Sequence, residues 1–434
     1  MSVMSSASEP QQRQSSEHRE GLIASDIASA AARLRAATSV PADALRAAEA
    51  LSRAIELWRD RDYPRRRDAI ARIASQAGYS VALLDSSLDA LLKPFTPAAL
   101  NSLASRVSRD GRPDRPQVIG SILAGNVAGA GLHEVAIALI AGAGVLIKTA
   151  SAEPVFFDQF ASTLAELDRE NASRIVVFNW ARTRDDLTAA MAANCDQIVA
   201  YGDDATIESF HDVPAIIGFG SRVSGAVVAP GALNSGRIDA VAESLARDVA
   251  LFEQLGCLSL HHIFVVSRSR DAVREFAVRM ASALERLGAS MPSAKIPLRD
   301  AAEIVGVRER ARWRRLAGEP IELFEGARLG WTVVFEPESL RNLSDQAFKV
   351  SPGFRTVYVS RVRDESQLRA RLGTASGRLE ATAVAGDDEE TRGIAKMLDA
   401  LGVSYVSAPG EMQSPPLLWR HGGGAFLDMM VASR

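Results

Sequence analysis

Cysteine is scarce in this chain. Two thiols in 434 residues exclude a disulfide framework and fit a reducing cytoplasm. Long apolar runs are missing too: no uncharged stretch reaches the roughly 18 residues that a membrane-spanning helix needs, and the Gly- and Ala-rich stretches fit a buried α/β core. Neither sign of charge dominates. Fifty Lys and Arg against 53 Asp and Glu leave a net charge of −3, so no field draws nucleic acid or an anionic membrane. No His, Cys, Asp and Glu stand at a spacing that suggests zinc or iron. The first residues, SVMSSASEPQQRQSSEHRE, hold no apolar core of a secretory signal and read as a disordered tail over 1–20.

What is present is a 47% apolar chain, long enough for two or three domains. Residues 21–110 carry apolar side chains at helical spacing, broken near Pro41, Pro64 and Pro94, and predict several amphipathic helices. From Gln117 the pattern changes. Apolar strands over 117–123, 144–148, 174–180, 197–201 and 215–219 alternate with helices, as in βαβ units whose parallel sheet is covered on both faces. Such a sheet takes its ligand at the carboxyl ends of the strands. The loop Gly125-Asn126-Val127-Ala128-Gly129-Ala130-Gly131 is a loose relative of the dinucleotide fingerprint and weak evidence alone. A second α/β unit follows, with strands over 321–324, 331–335 and 356–362. The expected division is a tail at 1–20, a helical and cofactor-binding unit at 21–228, a second unit at 229–405 and a C-terminal segment at 406–434.

One stretch joins the two units: Phe252-Glu253-Gln254-Leu255-Gly256-Cys257-Leu258-Ser259. A helix with Ile238, Val241, Leu245, Val249 and Phe252 on one face precedes it, and a strand over 263–266 follows. Gly256 breaks the helix and sets Cys257 on a tight turn. Two readings stand for that thiol: a nucleophile that forms a thioester, or a small apolar residue filling a corner. Cys195, between a helix and a strand, reads as structural. His261 and His262 alternate along a strand, so at most one faces the cysteine, and His133 opens a helix near the glycine-rich loop.

The pieces LAGNVAGAG, GVLIKTASAEP, VAYGDDATIESF, FEQLGCLS and GEMQSPPLLWRHGG, in this order, resemble the LuxC-type acyl-CoA reductases within the aldehyde dehydrogenase superfamily. The resemblance covers about residue 45 to the end. It implies an aldehyde dehydrogenase-like α/β fold of two Rossmann-like domains with the active-site cleft between them. It makes Cys257 the nucleophile and Asn126 the amide that, with the backbone N–H of Cys257, receives an oxyanion. It sets Lys148 on the adenosine ribose of a nicotinamide cofactor, with Gly125 and Gly202 in the loops beside it. Ser151 stands where relatives often carry a Glu that selects NADH, so NADPH is expected, with NADH possible. Asp203 and Asp204 are expected to cap a helix. The general base of hydrolytic relatives has no counterpart in Gly218-Phe219-Gly220-Ser221-Arg222, nor does KVSPGFRTVYV hold the carboxylate that usually grips the nicotinamide ribose. A thioester shielded from water suits exchange with a second thiol.

The implied activity is reduction of an acyl thioester, acyl-CoA and in particular fatty acyl-CoA, to an aldehyde by NADPH. Alternatives are an acyl-carrier-protein donor, a non-acylating aldehyde dehydrogenase or a noncatalytic binding protein on the same fold. The C-terminal GAFLDMMVASR is a candidate for pairing in a homodimer or larger homo-oligomer.

Overall fold

A computed structural model describes residues 21–110, 115–213, 215–337 and 347–432; the tail expected at 1–20 lies outside them. Five helices come first: α1 (Ala24–Thr38), α2 (Ala44–Arg59), α3 (Pro64–Ala77), α4 (Val81–Leu92) and α5 (Pro97–Asp110). Their limits follow from local chemistry. Asp43 accepts the N–H groups of Leu45 and Arg46 to start α2, Ser80 accepts that of Leu83 to start α4, and Pro64 opens α3 where its missing N–H costs nothing. Helix α3 stops at Gly78, whose φ of 73° suits glycine. One face of α2, from Ala44 through Ala48, Leu51 and Ile55 to Trp58, is buried.

The next strands are β1 (Val118–Ile122), β2 (Gly144–Thr149), β3 (Ile175–Asn179), β4 (Gln197–Tyr201) and β5 (Ile216–Phe219). They form a sheet in the order β3-β2-β1-β4-β5, parallel throughout. Strands β1 and β2 are buried at every residue, as a sheet covered on both faces requires. Helix α6 (Leu132–Ile140) links β1 to β2, and all nine of its residues are buried.

A second sheet holds β6 (Val223–Val228), β7 (Leu260–Val266), β8 (Glu322–Glu325), β9 (Thr332–Glu336), β10 (Thr356–Val362), β11 (Leu379–Ala385) and β12 (Tyr405–Ser407). Its order is β12-β11-β6-β7-β10-β9-β8; only β8, against β9, is antiparallel. The helix Ile238–Ala250 and the loop bearing Cys257 connect β6 to β7. Strand β6 is buried at every residue, Gly225 included.

After β12 the chain returns to the first unit as a strap. Asp248 accepts the N–H groups of Gly410 at 2.6 Å and Met412 at 3.2 Å. Gln413 donates to the carbonyl of Leu258, and Ser414 to that of Ala90 on α4. The last helix, Phe426–Ala432, rests against α6, and Phe426, Leu427 and Met430 join the first unit's core. The segment considered for pairing between copies is thus folded onto its own chain. No helix among the described residues is long and apolar enough to cross a membrane.

Candidate active site

The loop that carries Cys257 is held in a demanding conformation. Phe252, Glu253 and Gln254 follow one another at φ of 54°, 51° and 63°. This is the left-handed region, where a non-glycine residue costs about 1–2 kcal/mol, so the surroundings must over-determine it. Glu253 accepts the N–H of Ala294 at 2.7 Å and pairs with the buried Arg355 at 3.3 Å. Gln254 donates to the carbonyls of Leu260 and Thr356 and accepts the N–H of Thr356. The carbonyl of Cys257 accepts from Ser224 of β6 at 2.7 Å. Among the described residues the N–H of Cys257 has no partner, and it is free to meet an oxyanion.

Asn126 reaches this loop from the end of β1. One N–H of its side-chain amide donates to the carbonyl of Leu255, two residues before the thiol. Gly256 faces Val127 so closely that a Cβ on it would stand 3.4 Å from the valine methyl. The glycine-rich loop and the cysteine loop are therefore in contact.

On another side of the thiol stands a residue to which the sequence assigned no role. Nε2 of His421, on the strap, lies 3.9 Å from Sγ of Cys257. Its Nδ1 is 2.8 Å from the Glu134 carboxylate on α6. The imidazole lies between two rings, Phe219 at 3.8 Å and 8° and Trp419 at 4.5 Å and 18°. Glu380 of β11 fixes the next residue by accepting the N–H of Gly422 at 2.9 Å. Burial opposes a charge on His421, but the hydrogen bonds to Cys257 and Glu134 outweigh it and raise the imidazole to about 10. Burial likewise pushes the Glu134 carboxyl up, while His421 overcomes it and brings the group to about 2. At neutral pH the pair is imidazolium and carboxylate.

The other end of the cleft concerns the cofactor residues. Lys148 lies near the end of β2, 9% exposed, with no partner for its ammonium among the described residues. Burial, then the charge of Arg182, lowers its pKa. At the end of β3, beside Thr149, Asn179 donates its amide to the carbonyls of Thr149 and Ala150 and leaves Oδ1 buried without a partner. Ser151 is exposed in the turn that follows β2. Gly125 packs on that turn, where a Cβ would stand 2.8 Å from that of Ala150. At Gly202 a Cβ would stand 2.7 Å from that of Thr206. Asp203 caps the helix Asp204–Glu208 by accepting the N–H of Thr206, and Asp204 accepts that of Ser221; both are occupied locally.

A family model for acyl-CoA reductase (LuxC) matches residues 114–433. The chain belongs to this family. It is similar to a long-chain acyl-protein thioester reductase of Aliivibrio fischeri, 23% identical over 334 residues, which are 72% of this chain and 66% of the relative. A protein of the same name from Photorhabdus laumondii is 24% identical over 55% of this chain and 53% of its own length. The chain thus spans just under two thirds of the first of these relatives and about half of the second. Solved structures share the fold. Aldehyde dehydrogenase 21 of Physcomitrella patens superposes with a TM-score of 0.72 at 11% identity, covering 95% of this chain and 89% of that one. The NAD+ complex of an aldehyde dehydrogenase from Bacillus cereus gives 0.65 at 14% identity, covering 89% and 81%. The fold is aldehyde dehydrogenase-like, with two Rossmann-like α/β units.

Other residues singled out in this LuxC-family chain stay apart from the thiol. His261 pairs with Ser351 and His262 with Ser360, each at 2.8 Å and buried. His133 faces the carbonyl of Pro415 at 3.3 Å and the ring of Phe95. Its neighbour Glu134 is the one that meets His421. The segment without a base, 218–222, contributes Phe219 against the imidazole instead.

Proposed function

We propose that this chain reduces an acyl thioester to an aldehyde through a thioester on Cys257, with NADPH as the hydride source. The observation that carries the proposal is the His421–Glu134 pair facing the thiol of a loop whose Cys257 N–H is free and whose Leu255 carbonyl is met by the Asn126 amide. Sγ of Cys257 attacks the acyl carbonyl. The oxyanion is received by the N–H of Cys257 and the amide of Asn126, which keeps one N–H uncommitted beside Leu255. The outgoing thiol leaves the acyl group on the enzyme.

Asn179 presents a buried oxygen without a partner and Lys148 an ammonium with none among the described residues, at adjacent strand ends, the complement that a ribose or its phosphate offers. Gly125 and Gly202 keep the neighbouring loops close, and Ser151 places no carboxylate against a 2′-phosphate. When bound there, the nicotinamide supplies hydride. The chain's own residues hold the acyl group, receive the oxyanion and keep water inactive. Segment 218–222 holds no carboxylate to activate water, so the thioester lasts long enough to be reduced or passed to a second thiol. An apolar hollow of about 270 Å³ beside His421, lined by Ile216, Ile217, Phe219 and Met429, suits part of an acyl chain.

The names of the Aliivibrio and Photorhabdus relatives favour a protein-bound acyl donor, and the thiol chemistry accepts acyl-CoA equally. The deciding experiment is intact mass after mixing with a long-chain acyl-CoA, or with acyl carrier protein bearing the same chain, without nicotinamide. The proposal expects one acyl group on the wild type and none on Cys257→Ala, with aldehyde released on adding NADPH. Absence of an adduct from both donors overturns it.

A further inference from the structure

This inference rests on the acyl-thioester reading and deepens it. We infer that Cys257, His421 and Glu134 form a proton-shuttling triad, so that the chain transfers acyl groups between thiols without any nicotinamide. The positions carry it. His421 Nε2 faces the thiol sulfur at 3.9 Å and its Nδ1 faces Glu134 at 2.8 Å, which fixes the ring with one nitrogen toward the reacting atom.

A buried ion pair is poor evidence of stability, because desolvating both charges costs as much as their attraction returns. Here the chain brings the pair together from a helix and a strap 287 residues apart, and the strap is pinned by Asp248, Gln413 and Ser414. That much anchoring for one imidazole is unexplained by packing and explained by the sulfur beside it. The stacked rings of Phe219 and Trp419 favour the charged form as cation–π partners.

The step balances with one proton. The one proton that moves is the proton on Nε2 of His421, which faces Sγ. Attack forms the bond from Sγ to the acyl carbon, the bond from that carbon to the donor sulfur breaks, and the proton leaves on the outgoing thiol. The reverse step, with a second thiol, returns the proton to His421 and releases the new thioester. Nothing is oxidised or reduced. His421 is a catalytic residue, since it faces the reacting sulfur; Glu134 is a positioning residue that acts through it.

Cys257 on its loop and Glu134 on α6 raise the charge of His421; His133 on α6, Tyr201 at the end of β4 and Glu380 on β11 also face it. Arg222 lies against Glu380 and the carbonyl of Gly422. The imidazole is raised to about 10, and loss of Glu134 removes one of the two groups that raise it, so its titration moves down.

The test measures acyl exchange from an alkyl thioester (acyl-CoA) and from an aryl thioester to N-acetylcysteamine, with no nicotinamide. A donor that protonates the outgoing sulfur helps alkyl thiols and is wasted on aryl thiols, which leave well unaided. The wild type is expected to treat the two donors within about 3-fold, while His421→Gln loses about 10²–10⁴-fold on the alkyl donor, as removal of a general acid does, and less than about 10-fold on the aryl donor. Glu134→Gln is expected to lose exchange on the alkyl donor at every pH and to lose more of it than the wild type as the pH rises, because the imidazole no longer faces a carboxylate that holds its charge; a pH profile parallel to that of the wild type overturns the role of Glu134. Equal losses on both donors, or none, overturn the triad. Should His421→Gln not fold, a strong preference of the wild type for the aryl donor overturns it alone, and indifference to the donor supports it. Aldehyde formation with NADPH is scored on the same protein. Exchange without reduction sinks the reductase reading and leaves the triad. Reduction with steep dependence on the leaving thiol sinks the triad and leaves the reductase.

Discussion

The two cysteines of this chain have different charged neighbours: the Asp196–Arg35 pair beside Cys195 and the His421–Glu134 pair beside Cys257. Both are half-buried and unpaired. Cys195 closes the turn into β4, wedged against Gly120 and Met191, and its other neighbour is Asp196. Burial, then that carboxylate, pushes its thiol up to about 12. Cys257 meets instead the buried imidazole of His421 at 3.9 Å, on a loop whose Leu255 carbonyl is held by the Asn126 amide. The comparison teaches that two thiols of like exposure can stand among different neighbours, and the neighbours are what a proposed nucleophile must be judged on.

The largest test of that contrast removes each thiol in turn. Cys257→Ala is expected to abolish acyl-enzyme and aldehyde, read by intact mass and aldehyde trapping, whereas Cys195→Ala should keep both within about 2-fold. Retention of the acyl group by Cys257→Ala would reverse the assignment. Next, Asn126→Ala removes one oxyanion donor and should lower the turnover by about 10²–10³-fold; a change confined to KM would place the amide in binding alone.

Smaller still is the effect of loosening the strap. Asp248→Asn keeps the shape but turns one acceptor toward a backbone N–H as a donor. It should destabilise by about 1–3 kcal/mol and reduce exchange by releasing His421, moving the Cys257 corner toward that of Cys195. Unchanged exchange with a lowered melting temperature would separate the strap from the site.

The smallest effect concerns Cys195 and alkaline pH. Its folded thiol titrates near 12 against a reference of 9.0. Between those values the unfolded chain has lost a proton that the folded chain keeps, so stability falls as pH rises from about 9. Cys195→Ala should be relatively more stable at pH 10 than at pH 7, measured by urea unfolding at both. A pH-independent difference would mean the thiol is not sealed from solvent.

Much of the scaffold was legible because it rests on periodicity. Pro64 and Pro94 mark where helices begin and end, and the apolar strands alternate with helices as a parallel sheet demands. Asp203 was readable as a cap because capping is local, three residues from donor to acceptor. Strand β6 was not, since its Gly225 and Ala226 resemble a turn until neighbours β7 and β11 bury them. His421 and Glu134 were illegible for a stronger reason. The histidine stands in a glycine-rich run and the glutamate in a helix whose every residue is buried, and no local pattern relates the two.

By itself the sequence determined which faces are apolar and that Cys257 stands on a turn, but it set the helix break at Gly256, whereas the helix ends at Ala250, and Phe252, Glu253 and Gln254 make the bend. Those properties depend on neighbours a few residues away. Only the tertiary structure decided what faces the sulfur, because hydrogen bonds and charges act across a few ångströms of space whatever the separation along the chain. The strap that brings His421 to Glu134 and Cys257 exists only when both sheets are already built.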